Sequence, residues 1–212
     1  AVGYVRRVGV NHLYGTIGAH PRLDAFAIQE LNPYVEAHHI SNLDGVLETR
    51  QGTLGLDVTF VGGSTLTLSA DDNFERIFEA FRVSGDATVL PGDYSFREGT
   101  VSFRSSAGRP LSGNVSVTRG GFWDGNRTSA SLSMTWRADY RLTTSLSANR
   151  NQVSFPDTDF TADVYGARVQ FTPTTRIATS AFVQYNQSSD ELITNLRLNF
   201  IHAPNSDLFV VY

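Results

Sequence analysis

Between Ala130 and Ala148 the chain alternates between apolar and polar side chains almost without interruption. Ala130, Leu132, Met134, Trp136, Ala138, Tyr140, Leu142, Leu146 and Ala148 take the even positions, with Thr144 the one aliphatic hydroxyl among them. Ser131, Ser133, Thr135, Arg137, Asp139, Arg141, Thr143, Ser145 and Ser147 take the odd ones. Successive side chains of a strand point to opposite faces, so this segment predicts strands with one apolar and one polar face. The parity survives the turn near Ala138-Asp139-Tyr140. A two-residue loop would move the apolar set to the other parity, so a connection of odd length is expected. Tyr165, Ala167, Val169 and Phe171, then Ile177, Ala181, Val183 and Tyr185, repeat the behaviour across Thr172-Pro173-Thr174-Thr175-Arg176.

Short turn signals recur at His20-Pro21-Arg22, Gly62-Gly63, Gly108-Arg109-Pro110, Ala138-Asp139-Tyr140, Pro173-Thr174-Thr175 and Ala203-Pro204-Asn205. Gly, Pro and Asn supply the backbone angles that tight turns need. Longer polar stretches fall between them, at Ser41 to Gly45, Gly85 to Asp93, Gly120 to Asn126, Asn151 to Phe160 and Gln187 to Glu191. Short turns alternating with longer loops are the arrangement of outer-membrane barrels. The breaks leave about twelve strands, many near or above the ~9–11 residues that a tilted membrane-spanning strand needs. Soluble strands are typically about 5–6 residues, so length favours an antiparallel transmembrane β-barrel over a soluble β-sandwich. Phe74, Ile77, Phe78 and Phe81 have helical spacing, and Asp71-Asp72-Asn73 could cap such a helix. An irregular strand leading to Leu90-Pro91-Gly92-Asp93 is the preferred reading.

Composition narrows the class further. The polar positions are rich in Ser, Thr, Asn, Gln and scattered Arg rather than Lys and Glu, as suits a hydrated lumen. Tyr14, Tyr34, Trp123, Trp136, Tyr140, Tyr165, Tyr185 and Tyr212 are expected near strand ends, where amphipathic rings sit at headgroup level. No stretch approaches the ~20 apolar residues of a transmembrane helix; the apolar run at the end is only Leu208-Phe209-Val210-Val211-Tyr212. A membrane-crossing form must therefore be a closed barrel. The start, Ala1-Val2-Gly3-Tyr4-Val5-Arg6-Arg7, has no secretory-signal pattern, so a removed signal or an internal fragment is expected. A net charge of −4 makes no case for nucleic acid. All 17 basic residues are Arg, for which the sequence offers no mechanism, and with no Cys there is neither disulfide nor thiolate chemistry.

The ending from Asn195 to Tyr212 resembles the C-terminal portion of the bacterial outer-membrane family called domain of unknown function 5916. Val2-Gly3-Tyr4-Val5-Arg6-Arg7, Leu90-Pro91-Gly92-Asp93-Tyr94, Gly121-Phe122-Trp123-Asp124-Gly125 and Gln184-Tyr185-Asn186 match in order. Asn205 stands where the family usually has Gly, and Asn tolerates the left-handed conformation. The resemblance implies a carbohydrate-binding-like sandwich ahead of a large barrel, further strands before residue 1 and after Tyr212, and a plausible glycan-related task. It implies no catalytic residues.

Candidate chemistry is sparse. His38 and His39 are adjacent, so on a strand they face opposite sides, and His12, His20 and His202 are scattered; no metal site is expected. Asp71-Asp72 and Asp157-Thr158-Asp159 lack the spacing of a calcium loop and read as solvated loop acids. No Gly-x-Ser-x-Gly elbow supports a hydrolase, and the Asn-x-Ser/Thr matches at Asn114, Asn126 and Asn186 are chance-level. The expectation is one barrel domain over residues 1–212, the C-terminal part of a longer protein. It would be a porin-like channel or membrane anchor, with no enzymatic activity, catalytic residues, metal or cofactor. Its partners would be outer-membrane lipid and, beyond that, envelope proteins or surface glycan. The alternatives are a structural subunit of an outer-membrane complex and a soluble β-sandwich binding module.

Overall fold

A computed structural model describes residues 9–85, 87–203 and 206–212. It is all-β: described residues form strands and turns, with no helix. The strands are β1 (Val10–Gly18), β2 (Arg22–Ala25), β3 (Ile28–Asn42), β4 (Leu47–Phe60) and β5 (Thr65–Ile77). There follow β6 (Phe81–Ser84), β7 (Ala87–Val89), β8 (Gly92–Arg104), β9 (Leu111–Phe122) and β10 (Gly125–Arg137). The last five are β11 (Leu142–Ser154), β12 (Asp159–Thr174), β13 (Ile177–Asn186), β14 (Glu191–Ala203) and β15 (Ser206–Val211).

Twelve of these form one antiparallel meander, β1-β3-β4-β5-β8-β9-β10-β11-β12-β13-β14-β15, with β2 as a short side branch on β3. The all-β class and the large antiparallel sheet expected from the sequence are present, but the sheet is not closed among the described residues: β1 and β15 are its two edges and do not pair. A sandwich is not formed either, because the second sheet among the described residues is only the β6–β7 hairpin. The strands between the two edges of the meander run from 10 residues in β13 to 16 in β12, well beyond the about 5–6 of an ordinary strand.

Connections alternate between two ends. The turn end holds residues 19–27, 61–64, 105–110, 138–141 and 175–176; the loop end holds 43–46, 78–91, 123–124, 155–158 and 187–190. Every short turn signal in the described residues lies at the first end and every longer polar stretch at the second. The expected contrast in length is nevertheless mostly absent, and only 78–91 is long. Strands persist through Gly120–Phe122 and Asn151–Ser154, whose polar residues belong to the sheet. Pro204 and Asn205, like Val2 to Arg7, lie outside the described residues.

Register carries the face assignment from strand to strand. Arg137 pairs with Thr143, so β10 and β11 keep the same apolar parity, whereas the two-residue loop Trp123–Asp124 swaps it between β9 and β10. Pro173 is accommodated by a register irregularity between Phe171 and Thr174, where its missing N–H costs no ladder bond. The Phe74–Phe81 segment is not helical: β5 continues to Ile77, and Phe81 opens the β6–β7 hairpin.

That hairpin makes the sheet's largest buried cluster. Val89 is fully buried and packs with Ala87, Val153 and Phe155, flanked by Ile77, Val83, Tyr94, Phe122, Trp123 and Phe160. Phe122, Val153 and Phe160 hold positions that are polar elsewhere on their strands. The polar face thus turns apolar at the loop end, where the hairpin covers it.

Candidate membrane-facing surface and opposing polar face

The register lines up apolar side chains from edge to edge on one face. Ile17 lies opposite Val35, Val35 opposite Leu54, and Leu54 opposite Ala70. Further along, Leu68 pairs with Val101 and Val101 with Val117; Val115 pairs with Leu132 and Leu132 with Ala148. Leu146, Ala167 and Val183 continue the row, which ends with Leu198 opposite Val210. The belt is open to its surroundings: Leu132 is 40% exposed and Leu54 64%. Monomeric soluble proteins rarely expose contiguous apolar patches above a few hundred Å².

Aromatics border part of this belt. Trp136 and Tyr140 are exposed at its turn end, and Tyr165 lies opposite Tyr185 towards its loop end. Two of the tyrosines expected at strand ends are elsewhere. Tyr14 is mid-strand on the polar face and donates to Glu36 at 3.0 Å. Tyr34, mid-strand in β3, lays its ring over Gly55, where any Cβ would collide with it. Trp123 turns into the cap instead of towards the belt. Its backbone is left-handed (φ 54°), and its indole N–H donates to Glu75 at 2.8 Å. Packing against Phe81 and Phe122 holds that geometry.

On the opposite face, short polar side chains satisfy one another across strands. Thr100 and Thr118 are 2.8 Å apart, Thr135 and Ser145 3.1 Å, and Ser102 donates to Asn114 at 3.3 Å. Thr53 donates to Asp71 and Thr67 to Asp57, each at 2.6 Å. Arg127 reaches both oxygens of Glu98, at 2.6 and 2.9 Å, with its guanidinium over the Phe122 ring. Hydroxyl ladders of this kind fit a wet surface, since each hydroxyl has a protein partner and keeps further capacity for water.

The histidines are less scattered than the sequence implied. His38 and His39 do face opposite sides, but pairing of β1 with β3 brings His12 beside His38, with ring nitrogens 3.1 Å apart. Nε2 of His38 lies 3.0 Å from Glu36 Oε1. His20 instead meets Asn32 at 2.8 Å, and His202 lies beside Phe200. Among the described residues no group of three or more His, Asp or Glu is arranged to hold a metal ion. Asp71 and Asp72 are not loop acids: they sit within β5 on opposite faces, Asp71 with Thr53 and Asp72 with Arg97 at 2.7 Å. Asp159 opens β12 and accepts from Ser154 at 2.5 Å, leaving Asp157 in the 155–158 connection. Asn114 is one of the polar-face ladder residues.

No protein-family model, curated protein or solved structure matches the chain.

Proposed function

We propose that this chain is a membrane-spanning β-sheet of a bacterial outer membrane, acting as a channel wall or a membrane anchor. The observation that carries the reading is the exposed apolar belt held in register across twelve strands. Lipid is the solvent that would make such a face stable, with the hydroxyl-rich face turned to a hydrated interior. Charge placement supports the same reading. Arg50, Asp72, Arg97, Arg119, Arg150 and Asp163 occupy the outward face only towards the loop end. From there to the turn end, the described outward strand positions carry no Arg, Asp or Glu. The loop end would then project beyond the bilayer, while the turn end stops at its surface.

The sheet would be an arc of a larger barrel. β1 and β15 each have a neighbour on one side only, and bilayer hydrocarbon cannot satisfy the open edge of a strand. Strands supplied from elsewhere in a longer chain, as the resemblance to domain of unknown function 5916 implies, would pair with both edges. The glycan-related task rests on that family's sandwich domain.

One feature favours the anchor over the open channel: the β6–β7 hairpin covers the loop-end part of the polar face with a packed apolar cluster. Planar-bilayer recording separates the two, because an anchor passes no steady current. The membrane reading itself predicts that the chain, diluted from detergent as part of the longer protein whose strands pair with both edges, floats with phosphatidylcholine vesicles. Stable monomers in plain buffer without lipid would contradict it.

A further inference from the structure

We propose that the polar face carries a binding site for a small phosphorylated polyol, with the phosphate held by Arg168 and Arg197 and the hydroxyls in the cleft beside them. The site goes beyond the reading above and needs only that this face meets water.

Arg168 of β12 and Arg197 of β14 line one cavity of about 140 Å³, together with Ser180, Phe182 and Asn195. No carboxylate lines it. Phe182 of β13 stands opposite both Arg168 and Asn195, and Ser180 stands opposite Arg197, so the two arginines flank β13 from either side. Each is held by a neutral neighbour. The Arg168 guanidinium lies over the Phe182 ring, 4.8 Å from its centroid, and Arg197 Nε donates to Asn195 Oδ1 at 2.8 Å. Among the described residues neither pairs with a carboxylate, whereas Arg127 on the same face is paired with Glu98. The polar-face carboxylates of β14 and β15, Glu191 and Asp207, lie four residues along the strands from Asn195 and from Val211, the partner of Arg197. Four residues span about 13 Å at the rise of a strand, beyond the Debye length of about 8 Å at physiological salt. Two guanidinium groups therefore share a cavity with no local counter-charge, and their forks match phosphate oxygens in pairs.

A second cleft, of about 230 Å³, shares the wall made by Arg168 and Phe182. Ser133, Thr135, Ser145 and Ser147 line it, and their hydroxyls both donate and accept. Gly166 lies among them, and a Cβ there would meet Ser147 Oγ at 2.6 Å, so the missing side chain keeps the cleft open. A phosphate in the first cavity directs its ester group towards these hydroxyls, which suits a polyol and not an apolar ester.

The test uses the chain as part of the longer protein that completes the sheet, in non-ionic detergent, titrated by calorimetry with glucose 6-phosphate, inorganic phosphate or glucose. Glucose 6-phosphate should bind most tightly, inorganic phosphate more weakly and glucose least. Arg168→Gln and Arg197→Gln should each weaken glucose 6-phosphate binding about tenfold, the worth of one hydrogen-bonded charge, and together abolish it. Arg168→Lys keeps the charge without the fork and should lose less. Ser133→Ala with Ser147→Ala should bring glucose 6-phosphate down to the affinity of inorganic phosphate and leave the latter unchanged. Arg137→Gln, on the same face but outside both cavities, should change neither. Unaltered binding in the double Gln variant overturns the site. Equal affinity of the unmodified protein for glucose 6-phosphate and inorganic phosphate overturns the polyol as ligand. Neither result bears on the membrane reading, which flotation tests separately.

Discussion

The belt and the cap are made from the same strands and hold similar residues, yet one is exposed and the other buried. On β11, Leu146 faces outward and is 50% exposed, while Val153, seven residues on and of opposite parity, is 5% exposed beneath the hairpin. On β9, Val115 and Val117 belong to the belt and Phe122, on the other face, to the cap. Alternation therefore records that the two faces differ, but not which of them meets protein. The cap is buried because residues 78–91 are long enough to bring a hairpin back over the sheet. Nothing in the described chain returns over the belt, and on the proposed reading its partner is the surrounding lipid. The cap should owe its stability to protein packing in any solvent, whereas the belt should owe its stability to lipid.

The largest effect should come from emptying the cap. Phe155→Ala removes a buried ring and should cost ~3–5 kcal/mol in detergent and bilayer alike, read as faster amide exchange in Phe81–Val89. Next comes the belt: Leu132→Arg should cost ~2–4 kcal/mol near a bilayer midplane and far less in plain buffer, measured by urea unfolding from vesicles. Ser133→Arg, on the other face, should cost little, and the reverse ranking would invert the face assignment. Gly120→Ala tests close approach between strands. A Cβ there would meet the Arg97 carbonyl and Glu98 Cα, and such overpacking should cost about 1–3 kcal/mol in either medium. The smallest expected effect is Thr135→Val, which removes one polar-face hydroxyl bond to Ser145 at a cost of about 0.5–1.5 kcal/mol. A change there as large as that of Leu132→Arg would mean that the polar face, not the belt, is the buried one.

Much of this architecture was legible in the sequence because strand alternation is local. Ala130 to Ala148 specifies two faces and an odd connection, and the register Arg137 to Thr143 meets both requirements. The turn signals also separate the two ends, since each kind of connection returns to the same side of a meander. The β6–β7 hairpin was not legible, because strands of four and three residues are too short to carry a usable period. Its trace was Phe122, Val153 and Phe160, apolar at polar-parity positions on three strands and all at one end. Long-range facts were hidden for another reason. The meeting of His12 with His38, and of Tyr34 with Gly55, depends on inter-strand register, which no single strand encodes. Closure was beyond the local pattern for the same reason, because it depends on what pairs with β1 and β15.

The central claim is that the belt faces lipid and the hydroxyl-rich face meets water. Because the chain contains no Cys, single cysteines placed by Leu132→Cys and Ser133→Cys report on adjacent positions of one strand without background. In vesicles, a membrane-impermeant maleimide should label the Ser133→Cys chain and spare the Leu132→Cys chain, and detergent with denaturant should equalise them. Equal labelling of both chains in intact vesicles, or labelling of Leu132→Cys alone, would contradict the account.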